Sequence, residues 1–256
     1  MILKVIISIL AGLAAGVLTG FSGISAAVVI TPALVSIVGF DAYEAVGIAM
    51  ASDVIASAAT AASYARHGHV RLKDAVTMML VVLCFVFVGS WASQFIPAPT
   101  LGAVSVLITP VMGLRFLLVP QTNFNTLFGE QSRKLILIET LGAGIIIGFI
   151  SGFAGAGGGE MMLMALSLIL CYEVKDAVGT GVFIMTFIAL VGCVTHFYYG
   201  GMPDLTALIL CVLGNLFGAV SASRIANKTS SRTLNRVIGL MLVIIGIIMI
   251  LAQWVF

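Results

Sequence analysis

Ten apolar segments with short polar gaps fill almost all of this 256-residue chain, and they limit its fold more than any other feature. They run roughly over residues 2–19, 26–38, 44–65, 72–96 and 100–119, then 134–151, 160–171, 174–199, 205–223 and 233–255. A helix needs about 20 apolar residues to cross a bilayer, and most of the segments approach that length. Charged residues make up only 9% of the chain and hydrophobic ones 61%, where a soluble domain carries roughly 25% charged. Backbone polar groups in hydrocarbon must be satisfied within the segment, which favours helices. The expected fold class is an all-α polytopic membrane protein. The stretch Met1 to Thr19 is read as a retained first helix, because it runs straight into a glycine motif.

The second segment of each half is short for a span, which favours partial crossing or a strong tilt. Its 12 or 13 residues rise only about 19 Å as a helix, against a hydrocarbon core of about 30 Å. The first two segments of each half therefore come as a pair. Either both span, giving ten spans, or both dip in as a re-entrant hairpin, giving six.

The two halves match. At a constant offset of 132, residues 16–75 align with 148–207 without a gap, and the identities include Gly16/Gly148, Gly20/Gly152, Phe21/Phe153, Gly23/Gly155 and the Ala45-Val46-Gly47/Ala177-Val178-Gly179 triplet. At an offset of 133, Thr100 aligns with Thr233 and Gly113 with Gly246. The chain thus divides into an N-terminal membrane repeat (1–120), a cytoplasmic linker (121–133) and a C-terminal membrane repeat (134–256). Lys and Arg concentrate after the third segment (Arg66, Arg71, Lys73) and after the ninth (Arg224, Lys228, Arg232, Arg236), while the counterpart loops carry none. Positive loops face the cytoplasm, so equivalent loops fall on opposite sides. The repeats are expected to be inverted, with both termini outside the cytoplasmic membrane. Lys4 is the one cation against this count.

Between the first two segments of each half the pattern breaks. The second half has Gly152-Phe153-Ala154-Gly155-Ala156-Gly157-Gly158-Gly159-Glu160, and the first half has the weaker echo Gly20-Phe21-Ser22-Gly23-Ile24-Ser25. Non-helical backbone at membrane depth survives only where protein buries it or water bathes it. Helix N-termini and glycine nests bind oxyanions through bare amides. The two breaks are therefore the candidate substrate-binding residues: Gly20, Phe21, Ser22, Gly23, Ile24, Ser25, Gly152, Phe153, Gly155, Ala156, Gly157, Gly158 and Gly159, with Ser22 and Ser25 as hydroxyl donors. The competing reading gives glycines to close helix packing, and it is preferred for Gly12, Gly16, Gly144 and Gly148.

Asp53 lies about ten residues into the third segment, at the depth where a carboxylate is costly and functional by default. Its repeat counterpart is Met185. It is read as a coupling residue that takes up a proton, against a purely hydrogen-bonded structural role. Glu160 is either a second titratable group or a first-turn acid complementing the helix dipole. The four cysteines show no metal spacing, no basic patch suggests nucleic acid, and no hydrolase or nucleotide-binding signature is present. No metal, cofactor or enzymatic activity is expected.

The glycine stretches, the duplication, the Ala177-Val178-Gly179-Thr180 run, the Tyr198-Tyr199-Gly200-Gly201 turn and Pro32-x-Leu34 together resemble the sulfite exporter TauE/SafE family over nearly the whole chain. Two departures stand out: Ser25-Ala26-Ala27 replaces the usual glycines of the first half, and Met164 stands where the family has proline. The resemblance implies a transporter of sulfite, sulfoacetate or a related small sulfur oxyanion; the lipid bilayer is its other partner, and protons enter as a coupling ion through the reading of Asp53. A passive anion channel, transport of another small anion, and a membrane anchor without flux are the alternatives.

Overall fold

The computed structural model describes residues 2–71, 76–93, 95, 114, 117–118, 133–154 and 158–255. Most of the fifth apolar segment, most of the 121–133 linker, and Gly155, Ala156 and Gly157 lie outside the described residues.

Nine helices follow one another among the described residues. They are α1 (Ile2–Ser22), α2 (Ala27–Ala33), α3 (Ala42–Ala65), α4 (Val76–Ser93), α5 (Arg133–Ala154), α6 (Gly158–Leu168), α7 (Val174–Gly200), α8 (Leu205–Lys228) and α9 (Ser231–Val255). Five of them, α1, α3, α4, α7 and α8, are long and apolar enough to cross a membrane. The protein is an all-α polytopic membrane protein, as its segments predict. The short second segments are short in the structure too. Helix α2 continues as a π-helical turn over Leu34–Val38, directly after Pro32. Gly39, at φ 85°, then ends the element.

Helices α3 and α7 form the centre. They are 67% buried over their apolar windows, against 39% for α1 and α8 and 33% for α4, whose exposed Leu, Ile and Phe side chains make the lipid-facing rim. The central pair is antiparallel. Tyr43 at the start of α3 stacks on His196 near the end of α7, with ring centroids 4.2 Å apart. Midway, Thr186 Oγ1 lies 3.1 Å from Ser57 Oγ.

Around this pair, α1 packs along α8 and α5 packs along α4. Both contacts run over stripes of glycine. A Cβ on Gly12 would come within 2.6 Å of the Cys211 carbonyl oxygen, and one on Gly20 equally close to that of Ala219. In the other pair, a Cβ on Gly148 would come within 2.5 Å of the Val82 carbonyl oxygen, and one on Gly152 would overlap that of Val86. Gly12, Gly16, Gly144 and Gly148 therefore serve close packing, as expected. The partners correspond as well: Ala219 and Val86 are 133 residues apart, as are Ser223 and Ser90, which meet Gly20 and Gly152.

The loops that charge assigns to the cytoplasm lie at one end of the bundle. Lys175 at the start of α7 donates to the Asn227 carbonyl near the end of α8 (2.9 Å), and Asn227 Nδ2 donates to Ser63 Oγ near the end of α3 (3.2 Å). Lys4, Phe40, Glu44 and Asp204 gather at the opposite end. The α1–α2 hairpin begins at Lys4 and returns to Phe40, whose ring sits 5.6 Å from the Lys4 ammonium. Its second arm, Ala27–Val38, covers only about 18 Å at 1.5 Å per residue.

Candidate functional site

The first break is a sharp turn between α1 and α2. Gly23 adopts φ 71°, a left-handed conformation that glycine reaches at little cost. Thr19 Oγ1 donates to the Ile24 carbonyl at 2.8 Å and fixes the loop from inside. Ser22 donates back to the Leu18 carbonyl at 2.7 Å, so its hydroxyl belongs to its own helix. Ile24 and Ser25 are buried, and Phe21 is half-buried.

Asp53 closes this break from α3. Its Oδ2 accepts from the Ala26 N–H at 2.8 Å and from the Ser25 hydroxyl at 2.7 Å. Ser25 Oγ in turn accepts from the Ala27 N–H at 3.2 Å, and the Val28 and Val29 N–H groups bond to Ser25 and Ala26 carbonyls. The opening N–H groups of α2 are thus taken up within the chain. The cradle that glycine patterning predicts for an exogenous anion holds, in the first half, the protein's own carboxylate. Asp53 is 1% exposed, and its Oδ1 makes no hydrogen bond of normal geometry. Asn215 of α8 and Thr19 of α1 lie beside the carboxylate.

The second break meets the first. A Cβ on Gly159 would overlap the Gly23 carbonyl oxygen and stand 2.9 Å from Met185 Sδ, and one on Gly158 would overlap the Ser151 hydroxyl. Only glycine allows α6 to start this close to the other turn. Gly158, Gly159 and Glu160 are all buried in the first turn of α6. The register makes the two halves unequal. Gly158 stands where the first half has Ala26, and Met185 where it has Asp53, so α7 brings no carboxylate to this helix start. Gly20 and Gly152 lie where α1 and α5 press on α8 and α4. Ser90 Oγ donates to the Gly152 carbonyl at 3.1 Å, and Phe153 stacks on Phe149. Gly155, Ala156 and Gly157 lie outside the described residues.

Ser25, Asp53, Gly158 and Gly159 line one cavity with Ser151, Met50, Met185, Ile188 and Ala189. Its volume of about 10 Å³ is the space of roughly one water molecule. Met50, Ser151, Ile188 and Ala189 were not legible as site residues. They are ordinary apolar or small residues in helices, and only the crossing of α3 with α7 and, for Ser151, the approach of the end of α5 turn them inward. Met185 carried one signal, its register with Asp53, and both members of that pair reach the same cavity. Among the described residues, no cluster of three or more His, Cys, Asp or Glu side chains could hold a metal ion.

A family model described as Sulfite exporter TauE/SafE matches residues 8–249, which includes both breaks and Asp53. The chain belongs to this family. Among TauE/SafE relatives, a probable membrane transporter protein of Xylella fastidiosa (strain 9a5c) is 25% identical over 98% of this chain and 97% of its own length. The probable membrane transporter protein YunE of Bacillus subtilis (strain 168) is 34% identical over 40% of this chain and 37% of its own. A third, ORF9 of a Sinorhizobium species, is 26% identical over 74% and 71%. No solved structure matches the chain. With its apolar helices and these relatives, the TauE/SafE chain is a multi-pass membrane transporter.

Proposed function

We propose that this protein is a secondary transporter moving a small anion across the cytoplasmic membrane by alternating access, with sulfite, sulfoacetate or a related organosulfonate as substrate. The observation that carries the reading is the meeting of the two glycine breaks at one buried cavity, with the first break filled by Asp53 and the second flanked by Met185 instead. The anion is held by the backbone of the second break, at Gly158 and Gly159, and the sulfur chemistry comes from the family description. The cavity is too small for a sulfur oxyanion, so transport requires α3 and α7 to part at one end and then at the other. The matched glycine contacts, α1 on α8 and α5 on α4, support two repeats of inverted topology, the arrangement that gives alternating access around a fixed midplane site. Asp53 carries proton coupling, because a carboxylate without a basic partner at this depth is neutralised most cheaply by a proton.

The test is a flux panel on purified protein in proteoliposomes with sulfite, sulfate, thiosulfate, sulfoacetate and taurine. Saturable uptake with counterflow of one or more sulfur anions is expected. Conductance without saturation or counterflow would make the protein a channel, and no flux of any anion would overturn the proposal.

A further inference from the structure

Both ends of the α3–α7 pair are tied shut, and they are tied by corresponding residues. At one end Asp176, in the first turn of α7 and 5% exposed, accepts from His69 Nδ1 at 2.8 Å and from Arg71 Nε at 2.6 Å. The loop carrying those two residues follows α3. It is held again by the Arg71 N–H donating to Thr180 Oγ1 (2.9 Å) and by the Tyr172 hydroxyl donating to the Arg71 carbonyl (3.0 Å). At the other end Glu44, in the first turn of α3, accepts from the Asp204 N–H at 2.8 Å. That residue lies in the loop that follows α7, and its carboxylate is bound by Lys4 of α1. Glu44 and Asp176 stand 132 residues apart, at the offset of the repeat. A first-turn acid also complements its own helix dipole, but the bonds here cross to the loop behind the partner helix.

We propose that Glu44 and Asp176 are the two gate latches of the transporter, each holding one end of the central cavity closed. The proposal rests on the alternating-access reading and adds the residues that set it. The latches are unequal. Asp176 is buried and takes two side-chain donors, one of them the Arg71 guanidinium, whereas Glu44 is half-exposed and takes one backbone N–H. Two bonds, one of them from a cation, hold more than one bond from a neutral amide, so the Asp176 end is held more firmly, and its loss shifts the protein further.

The experiment reads accessibility from each side. Ala189 lines the cavity and is 2% exposed. Ala189→Cys is introduced into the full chain carrying Cys84→Ser, Cys171→Ser, Cys193→Ala and Cys211→Ala. A membrane-impermeant thiol reagent is applied to right-side-out and to inside-out vesicles. Labelling should be slow from both sides. Asp176→Asn should speed it about tenfold from the His69 side, the size of one lost charge-assisted bond, and leave it slow from the other. Glu44→Ala, which removes the acceptor that Gln would keep, should do the same from the opposite side with a smaller change, and the double variant should label faster from both sides. A merely structural role gives no one-sided change. Equal acceleration from both sides in either variant, or no change in both, overturns the proposal. If Asp176→Asn protein does not fold, His69→Gln with Arg71→Gln carries the same expectation, and Asp176→Glu should restore slow labelling. No substrate is used, so failure of every anion in the flux panel would remove the proposed function and leave the latch result standing.

Discussion

A buried carboxylate that caps its own chain is both a ligand and an obstacle. Asp53 takes the Ala26 amide and the Ser25 hydroxyl, the donors that a free oxyanion would seek in the first half. Asp53→Asn keeps the shape and removes the proton-binding oxygen. Anion exchange is expected to survive in proteoliposomes, while its response to an imposed pH gradient disappears; an unchanged response would retire the coupling role. Gly159 faces the opposite demand, because the Gly23 carbonyl leaves no room for a Cβ. Gly158→Leu and Gly159→Leu should each abolish flux while the protein still inserts and purifies, and normal flux in either would move the anion site elsewhere. The intramembrane position of Asp53 was legible in the sequence. The bonds it makes were not: Ser25 lies 28 residues away, and only the turn between α1 and α2 brings it to the carboxylate.

The helix pairs were half legible. Glycines four apart at 12, 16 and 20, and again at 144, 148 and 152, announce a close-packed face. They do not say which helix fills it, since the partners lie at comparable depth in several segments. Gly16→Leu would drive a side chain into the backbone of α8 at Asn215 and Ala219. Overpacking of this kind costs about 1–3 kcal/mol or more, so a clear drop in melting temperature in detergent is expected, with a similar drop for Gly148→Leu. The end contact between α1 and the α7–α8 loop behaves differently. Asp204 is held below its usual carboxylate range, first by the hydrogen bond from Lys4 and then by the Ala207 N–H. A depressed folded-state value gives stabilisation that is complete above the unfolded pKa of about 3.9 and lost as pH falls through the folded value. The melting penalty of Lys4→Gln should therefore be flat between about pH 5 and 8 and shrink only in stronger acid.

At the scale of the whole molecule, composition and apolar spacing made the helical membrane fold readable, and the constant offset is what suggests a duplication. The ends of the bundle were less so. His69, Arg71 and Asp176 form one cluster, yet in sequence they are two loop residues and a first-turn acid more than 100 positions on. Only the antiparallel crossing of α3 and α7 joins them. The charge-rich loops at that end should prove cytoplasmic: reporter fusions after Gly68 and after Thr229 are expected to report the same side, and opposite sides would remove the inverted-repeat reading.

The pairing of α1 with α8 also sets a schedule for the chain as it is made. Gly12 meets Cys211, and at a synthesis rate of about 5–20 residues per second that partner emerges roughly 10 to 40 s later. Helix α1 is therefore made long before the surface it packs on exists, and its glycine stripe has no α8 to close on until late in synthesis.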